Sequence, residues 1–393
     1  MDRRAFLKSS SLASTALFMP RFLHAFDRVD LRDRRILVVL QLSGGNDGLN
    51  TFIPFEDDIY YQNRPSLAIR KDEVLPVTDL QGLHPSLASL RPLFDEGLIS
   101  VVNAVGYPNP DRSHFRSMDI WQSGKVDERV ASGWLGRYLD STCHNCRPHA
   151  AIEIGQSLSI AVQGAHQKAL VVESPERLTR SVGSAYHAFL AQQAPSQVAS
   201  DLDYLYKTVA DTRHSAAYLQ ERLQGNRAGT DYPAGGLGKD LRTVANLILS
   251  GCDTRIYYLS LSGFDTHVNQ SGAHARLLKQ VGDSIAAFVG DLRRHDLMRD
   301  VTLLCFSEFG RRVEQNGSRG TDHGAGNNLF VIGAHLSKPG FFNAPADLSH
   351  LDDGDVRYQI DFRSVYADVL RDWFKLDPTP VLGKKMTPAG MFS

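Results

Sequence analysis

Asp265-Thr266-His267 sets a carboxylate and an imidazole one residue apart, directly beyond an apolar run at 255–261. Two potential ligands that follow a buried strand without a gap suit a divalent metal. Asp322-His323-Gly324 offers a similar pair just ahead of the apolar run 328–332, and Glu308 stands beyond the run 301–306, where a carboxylate needs a partner. Asp47 belongs to the tight turn Ser43-Gly44-Gly45-Asn46-Asp47-Gly48 after the run 35–42, and either favours that turn or binds a ligand. The turn lacks the Walker lysine and the GxGxxG spacing, which argues against nucleotide binding. Ser113, in the loop beyond the run 98–105, is either a helix cap or a nucleophile. An open site of carboxylate and imidazole suits a hydrolytic metal, zinc or manganese, with calcium and magnesium as alternatives. The candidate ligands are Asp47, Asp265, His267, Glu308 and His323. Around such a metal Ser113 or a water would be activated, Arg311 or Arg112 would hold an anion, and His114 would serve as general acid.

The five apolar runs are the elements that must position these residues. They are continuous rather than alternating, as in strands covered on both faces, which predicts a parallel, doubly wound sheet. Leu278, Val281, Ile285, Phe288 and Leu292 form one face of a helix between two of the runs, and Leu241, Val244, Ala245 and Ile248 another. The β-α-β alternation predicts an α/β domain with a mostly parallel central sheet. At its carboxyl edge Asp47, Ser113, Asp265, His267, Glu308 and His323 would meet. The stretch at about 150–235 differs: short β-like runs precede a polar, Gln-rich helical segment, which reads as an insertion or cap on the same domain. His84 and His274 read as structural or surface residues.

The chain opens Met1-Asp2-Arg3-Arg4-Ala5-Phe6-Leu7-Lys8, followed by a weakly apolar run to Met19 and a small residue at Ala25. An arginine pair ahead of such a run predicts a twin-arginine signal peptide at 1–25, export of the folded protein through the twin-arginine machinery, and a periplasmic or secreted location. The domain would then span 33–393. No stretch reaches the ~18 apolar residues of a transmembrane anchor. Hydrophobic residues at 42% and charged residues at 22% fit a globular protein, and a net charge of −1 argues against a nucleic-acid partner. Four cysteines in 393 residues exclude a disulfide scaffold. Cys143-His144-Asn145-Cys146-Arg147 lacks the histidine of haem attachment; a short disulfide, half a zinc site and two spare thiols all fit it, and an oxidising compartment favours the disulfide.

Taken together, the arginine-pair signal, the Gln41-to-Gly48 turn, Leu83-His84-Pro85, Arg112-Ser113-His114-Phe115, Gly263-Phe264-Asp265-Thr266-His267, Phe306-Ser307-Glu308-Phe309-Gly310-Arg311 and Gly320-Thr321-Asp322-His323-Gly324 resemble the exported bacterial family of domain of unknown function 1501. The resemblance covers nearly the whole mature chain. It implies membership of the alkaline phosphatase and sulfatase-like superfamily: a three-layer α/β sandwich holding one or two divalent metals, with a nucleophile at a helix N-terminus. It places Ser113 as that nucleophile, and Asp265, His267 and His323 on the first metal. For the second metal, Asn46 or Asp47 would replace an Asp at the tip of strand one, and Glu308-Phe309 stands where an Asp-His pair is usual. The implied activity is hydrolysis of a small anionic phosphate or sulfate ester. The alternative is a non-catalytic cell-envelope binding or assembly protein on a degenerate hydrolase scaffold.

Overall fold

Residues 36–42 are apolar apart from Gln41, and both faces of the strand they form are buried. Ile36, Val38, Leu40 and Leu42 pack into one core, Leu37 and Val39 into a second. A strand with no polar side is expected where helices cover both faces of a sheet. The computed structural model describes residues 35–143, 146–195, 198–225 and 227–393. Arg3, Arg4 and the whole segment 1–25 lie outside the described residues, as does His144.

Seven strands carry the architecture: β1 (Ile36–Ser43), β2 (Ile99–Gly106), β3 (Ala151–Ile154), β4 (Leu170–Val172), β5 (Ile256–Ser262), β6 (Val301–Phe306) and β7 (Asn327–Ile332). They lie side by side in the order β2-β7-β6-β1-β5-β3-β4, with Gly340–Phe341 and Ile360–Asp361 pairing along β2. β1 sits between β5 and β6 and is parallel to both. On one face lie α6 (Gly236–Leu249) and α7 (Gln270–Arg294); Leu241, Val244, Ile285 and Phe288 join the core of Val38 and Leu40. On the other lie α1 (His114–Ser123), α2 (Trp134–Thr142) and α8 (Phe362–Asp368), whose Trp121, Trp134 and Tyr366 pack with Leu37 and Val39. The result is the three-layer α/β sandwich, with a mostly parallel sheet, that the apolar runs imply.

One strand departs from the parallel pattern. β7 runs antiparallel to both β6 and β2. A parallel return needs a crossover that carries the chain back to the far edge, usually through a helix. The segment from Ser307 to Gly326 has no helix. It therefore stays at the carboxyl edge, and β7 starts there. This is what brings His323 to the same edge as Asp265, which follows β5. Within the stretch 150–235, β3 and β4 extend the main sheet beside β5. They are followed by α3 (Pro175–Val182), α4 (Ala185–Gln192) and α5 (Asp201–Arg222). Cys143 and Cys146 form a disulfide, while Cys252 and Cys305 are buried free thiols. Among the described residues no helix is long and apolar enough to cross a membrane.

Candidate functional site

Three histidines and one aspartate converge at the carboxyl edge. Asp265 lies just beyond β5, and His267 follows it. His114 is the first residue of α1, and His323 precedes β7. Asp265 Oδ1 lies 3.0 Å from His267 Nε2, 3.2 Å from His323 Nε2 and 3.5 Å from His114 Nε2. His267 Nε2 and His323 Nε2 are 2.9 Å apart. The loops meet so closely that glycine is required at their crossings. Gly44 adopts φ +119°, and a Cβ there would stand 2.4 Å from the Asp265 nitrogen. A Cβ on Gly320 would stand 2.2 Å from the His267 carbonyl.

Each imidazole is held from behind. His114 Nδ1 lies 2.9 Å from Glu308 Oε1, His267 Nδ1 lies 3.0 Å from Asp322 Oδ1, and His323 Nδ1 lies 2.8 Å from the Arg112 carbonyl oxygen. Carboxylates and carbonyls only accept, so each neutral ring carries its proton on Nδ1 and turns an Nε2 lone pair inward. The three inward Nε2 atoms thus face the Asp265 carboxylate, whose Oδ1 accepts from Arg311 Nη2 at 2.8 Å; Arg311 Nη1 lies 3.5 Å from His267 Nε2, and His114 Nε2 is buried without a hydrogen-bond partner. Donors around a tetrahedral zinc, each at ~2.0–2.1 Å, stand roughly 3.3 Å apart. The spacings of Asp265 to the three imidazoles and of His267 to His323, 2.9 to 3.5 Å, are compatible with such donors. His114, Asp265 and His323 have donor atoms all within 4.8 Å of one another, and outer carboxylates and carbonyls are the partners that orient metal-bound histidines.

The local charges follow. Partial burial works against the Asp265 carboxylate, but the hydrogen bond from Arg311 and the neighbouring His323 and His267 outweigh it and hold its pKa at about 2. The hydrogen bond to Glu308 raises that of His114. Burial lowers that of His323, against the pull of Asp265 and the Arg112 carbonyl. Asp265 and His267 keep 48% and 38% of their side chains exposed, so the cluster is open to solvent.

Several residues expected at the site do other work. Asp47 is not at the cluster. Its carboxylate is paired at 2.6 Å with Arg64, both side chains fully buried, and accepts from Gln270 and the Asn50 N–H. Glu308, fully buried, accepts from the Gly44 N–H at 2.8 Å and from Ser307 as well as His114, so its carboxylate is engaged inside the fold and orients the His114 ring. Arg311 is not free to hold a substrate anion. Its guanidinium donates to the carbonyls of Gly44, Gly45, Phe264 and Thr321 and to Asp265, clamping the loops together. His114, expected as general acid, lies among the converging side chains, its Nε2 3.5 Å from Asp265 Oδ1. Ser113 is exposed at the N-cap of α1 and makes no capping hydrogen bond. His274, expected to be a structural or a surface residue, is fully buried and meets Asn46 Oδ1 at 2.9 Å, anchoring the glycine turn. Asp322 was singled out beside His323 but not as the partner of His267, and Arg64 was missed: neither shows a spacing in sequence that reveals its partner.

Residues 83–348, more than half of the chain, match the family described as "Protein of unknown function (DUF1501)". The chain belongs to that family. A comparison with curated proteins finds no match for this DUF1501 member. Among solved structures it is similar to the C-terminal periplasmic domain of EcEptC from Escherichia coli in complex with zinc, at 9% identity and a TM-score of 0.35 over 77% of this chain and 73% of that one. It is also similar to the PsFucS1 sulfatase from Pseudoalteromonas sp., at 12% identity and a TM-score of 0.38 over 92% and 72% of the two chains. An alkaline phosphatase from the Antarctic bacterium TAB5 is a third, at 11% identity and a TM-score of 0.32 over 77% and 92%.

Proposed function

We propose that this DUF1501 protein is a metal-dependent hydrolase of phosphate or sulfate esters, exported by the twin-arginine route and working outside the cytoplasm. The observation that carries the reading is the convergence of three inward Nε2 lone pairs on the Asp265 carboxylate, each ring fixed from behind. His114, Asp265, His267 and His323 would hold a divalent ion, zinc or manganese by their donor chemistry. Such an ion supplies Lewis-acid polarisation of an ester oxygen. Glu308, Asp322 and the Arg112 carbonyl keep the ring protons on Nδ1. Arg311 keeps Asp265 ionised and the loops in register. Ser113, exposed one residue before His114, is the candidate nucleophile. The domain plan that goes with this reading is a signal peptide at 1–25 and one α/β domain at 33–393, with an insertion at about 150–235.

A second reading has its own support. Asp47 and Arg311 are both committed to internal partners, and four protein donors can close a coordination shell, as structural metal sites do. That favours a binding or assembly protein of the cell envelope on a hydrolase-like scaffold. Hydrolysis of aryl phosphate and aryl sulfate by metal-reconstituted protein separates the two. The hydrolase reading expects turnover that chelation abolishes and that falls by ~100-fold or more in Ser113→Ala, in line with loss of an activated nucleophile. Turnover of neither ester while the ion stays bound would leave the scaffold reading standing.

A further inference from the structure

The turn Asp352-Asp353-Gly354-Asp355 lies outside every motif in which chemistry was expected, yet charge ties it to the loops that bear the ligands. Asp355 is only 1% exposed, and its Oδ2 lies 2.9 Å from Arg112 Nε and 2.7 Å from Arg112 Nη2. Its other oxygen has no hydrogen-bond partner, and the guanidinium of Arg312 is 3.8 Å away. Arg112 is therefore the group that holds this buried carboxylate. Asp353 is 75% exposed and meets Arg112 at 3.2 Å and Arg312 at 3.4 Å. The backbone of Arg112 matters more than its charge, because its carbonyl oxygen accepts from His323 Nδ1 at 2.8 Å.

We propose that Asp355 is a positioning residue for the metal centre: by fixing Arg112 it aims the carbonyl that sets the tautomer and ring orientation of His323. The proposal rests on the reading of the cluster as a metal site. A carbonyl aimed at Nδ1 keeps the proton there and leaves the Nε2 lone pair directed at Asp265 and His267. Without the buried anchor, the peptide at Arg112 is free to turn, His323 populates the other tautomer, and an N–H replaces one of the donors. Loss of an outer partner of a metal-bound histidine typically weakens affinity by about 10- to 100-fold. Asp353, bound to the same arginine in solvent, contributes little, because exposed ion pairs are weak.

The test is zinc titration of the metal-free protein against a competing chelator, with histidine-selective ¹⁵N NMR on the same samples. Asp355→Asn is expected to bind zinc about 10- to 100-fold more weakly. The His323 nitrogens should shift from the Nδ1–H pattern towards a tautomer mixture. Asp353→Asn is expected to stay within about threefold of wild type, with the wild-type pattern. Arg112→Lys keeps the charge and loses the fork, so it should fall between the two; it carries the test if Asp355→Asn does not fold. Wild-type affinity with an unchanged His323 tautomer in Asp355→Asn, or in Arg112→Lys should only that variant fold, overturns the proposal. Equal weakening by Asp353→Asn and Asp355→Asn does so as well. Should wild type bind no zinc, the metal reading fails separately, and the tautomer in the metal-free variants still decides whether Asp355 positions His323.

Discussion

Arg64 and Asp47 have both lost their water, and each depends on the other. Burial pushes the Asp47 carboxyl up, but Arg64, His274 and Gln270 outweigh it and hold it below its usual value. Removing one partner of a buried pair leaves an uncompensated charge and typically costs about 3–5 kcal/mol. Arg64→Met is therefore expected to lower unfolding stability by that order in urea, while leaving zinc affinity within a few-fold of wild type. A loss of under ~1 kcal/mol would show that Asp47 is not left as an uncompensated buried charge, and a collapse of metal binding in a folded variant would show that Asp47 belongs to the site after all. Asp265, His267 and His323 were legible in the sequence because each adjoins a strand end at one edge. His114 was legible as chemistry-bearing, but the partner that turns its ring, Glu308, is 194 residues away and was not legible as such. Asp47 and Arg311 misled for the same reason: nothing local shows that Arg64 takes the one or that four carbonyls take the other.

The loops depend on backbone that only glycine supplies. Gly44 donates its N–H to Glu308, and its φ of +119° lies where side chains are strained. Gly44→Ala would force a Cβ to within 2.4 Å of the Asp265 nitrogen, so the β1 and β5 loops must part. The expected cost is about 2 kcal/mol or more, from strain and overpacking together. Thermal unfolding and zinc titration of Gly44→Ala check this; wild-type values in both would show that the loops are looser than described. The strands themselves were legible because burial on both faces leaves unbroken apolar runs. The direction of β7 was not. Hydrophobicity reports burial, whereas direction depends on the route of the connection, here a helix-free excursion along one edge. The short runs that became β3 and β4 lacked the length that marks a central strand, so they read as part of an insertion.

For the molecule as a whole, pH acts through buried groups away from the cluster. Burial lowers the pKa of both His84 and His274 to about 4. The unfolded chain takes up these protons near pH 6.5 while the folded protein resists until about 4. Stability is therefore whole above pH ~6.5 and falls as pH drops towards 4, by up to about 3 kcal/mol for each group. Glu153 behaves oppositely. Burial raises its pKa to about 7, so stability present below pH ~4.5 is lost as pH rises through 7. Urea unfolding of metal-free protein from pH 4 to 8 should show both slopes. Glu153→Gln, which keeps an acceptor for the Ser159 N–H, should gain on the order of 1–3 kcal/mol at pH 8 and almost nothing at pH 4. No gain at pH 8 would mean that Glu153 is solvated in the folded protein.

The central claim is that His114, Asp265, His267 and His323 form one metal centre. Calorimetric titration of the metal-free protein with zinc and with manganese, in wild type and His323→Ala, tests it most directly. The account expects one ion per chain in wild type. It expects affinity to fall by about 100-fold or more when His323 is removed, since that leaves a broken donor set and an unpaired Asp265. No binding of either ion by wild type, or equal binding by His323→Ala, would contradict it.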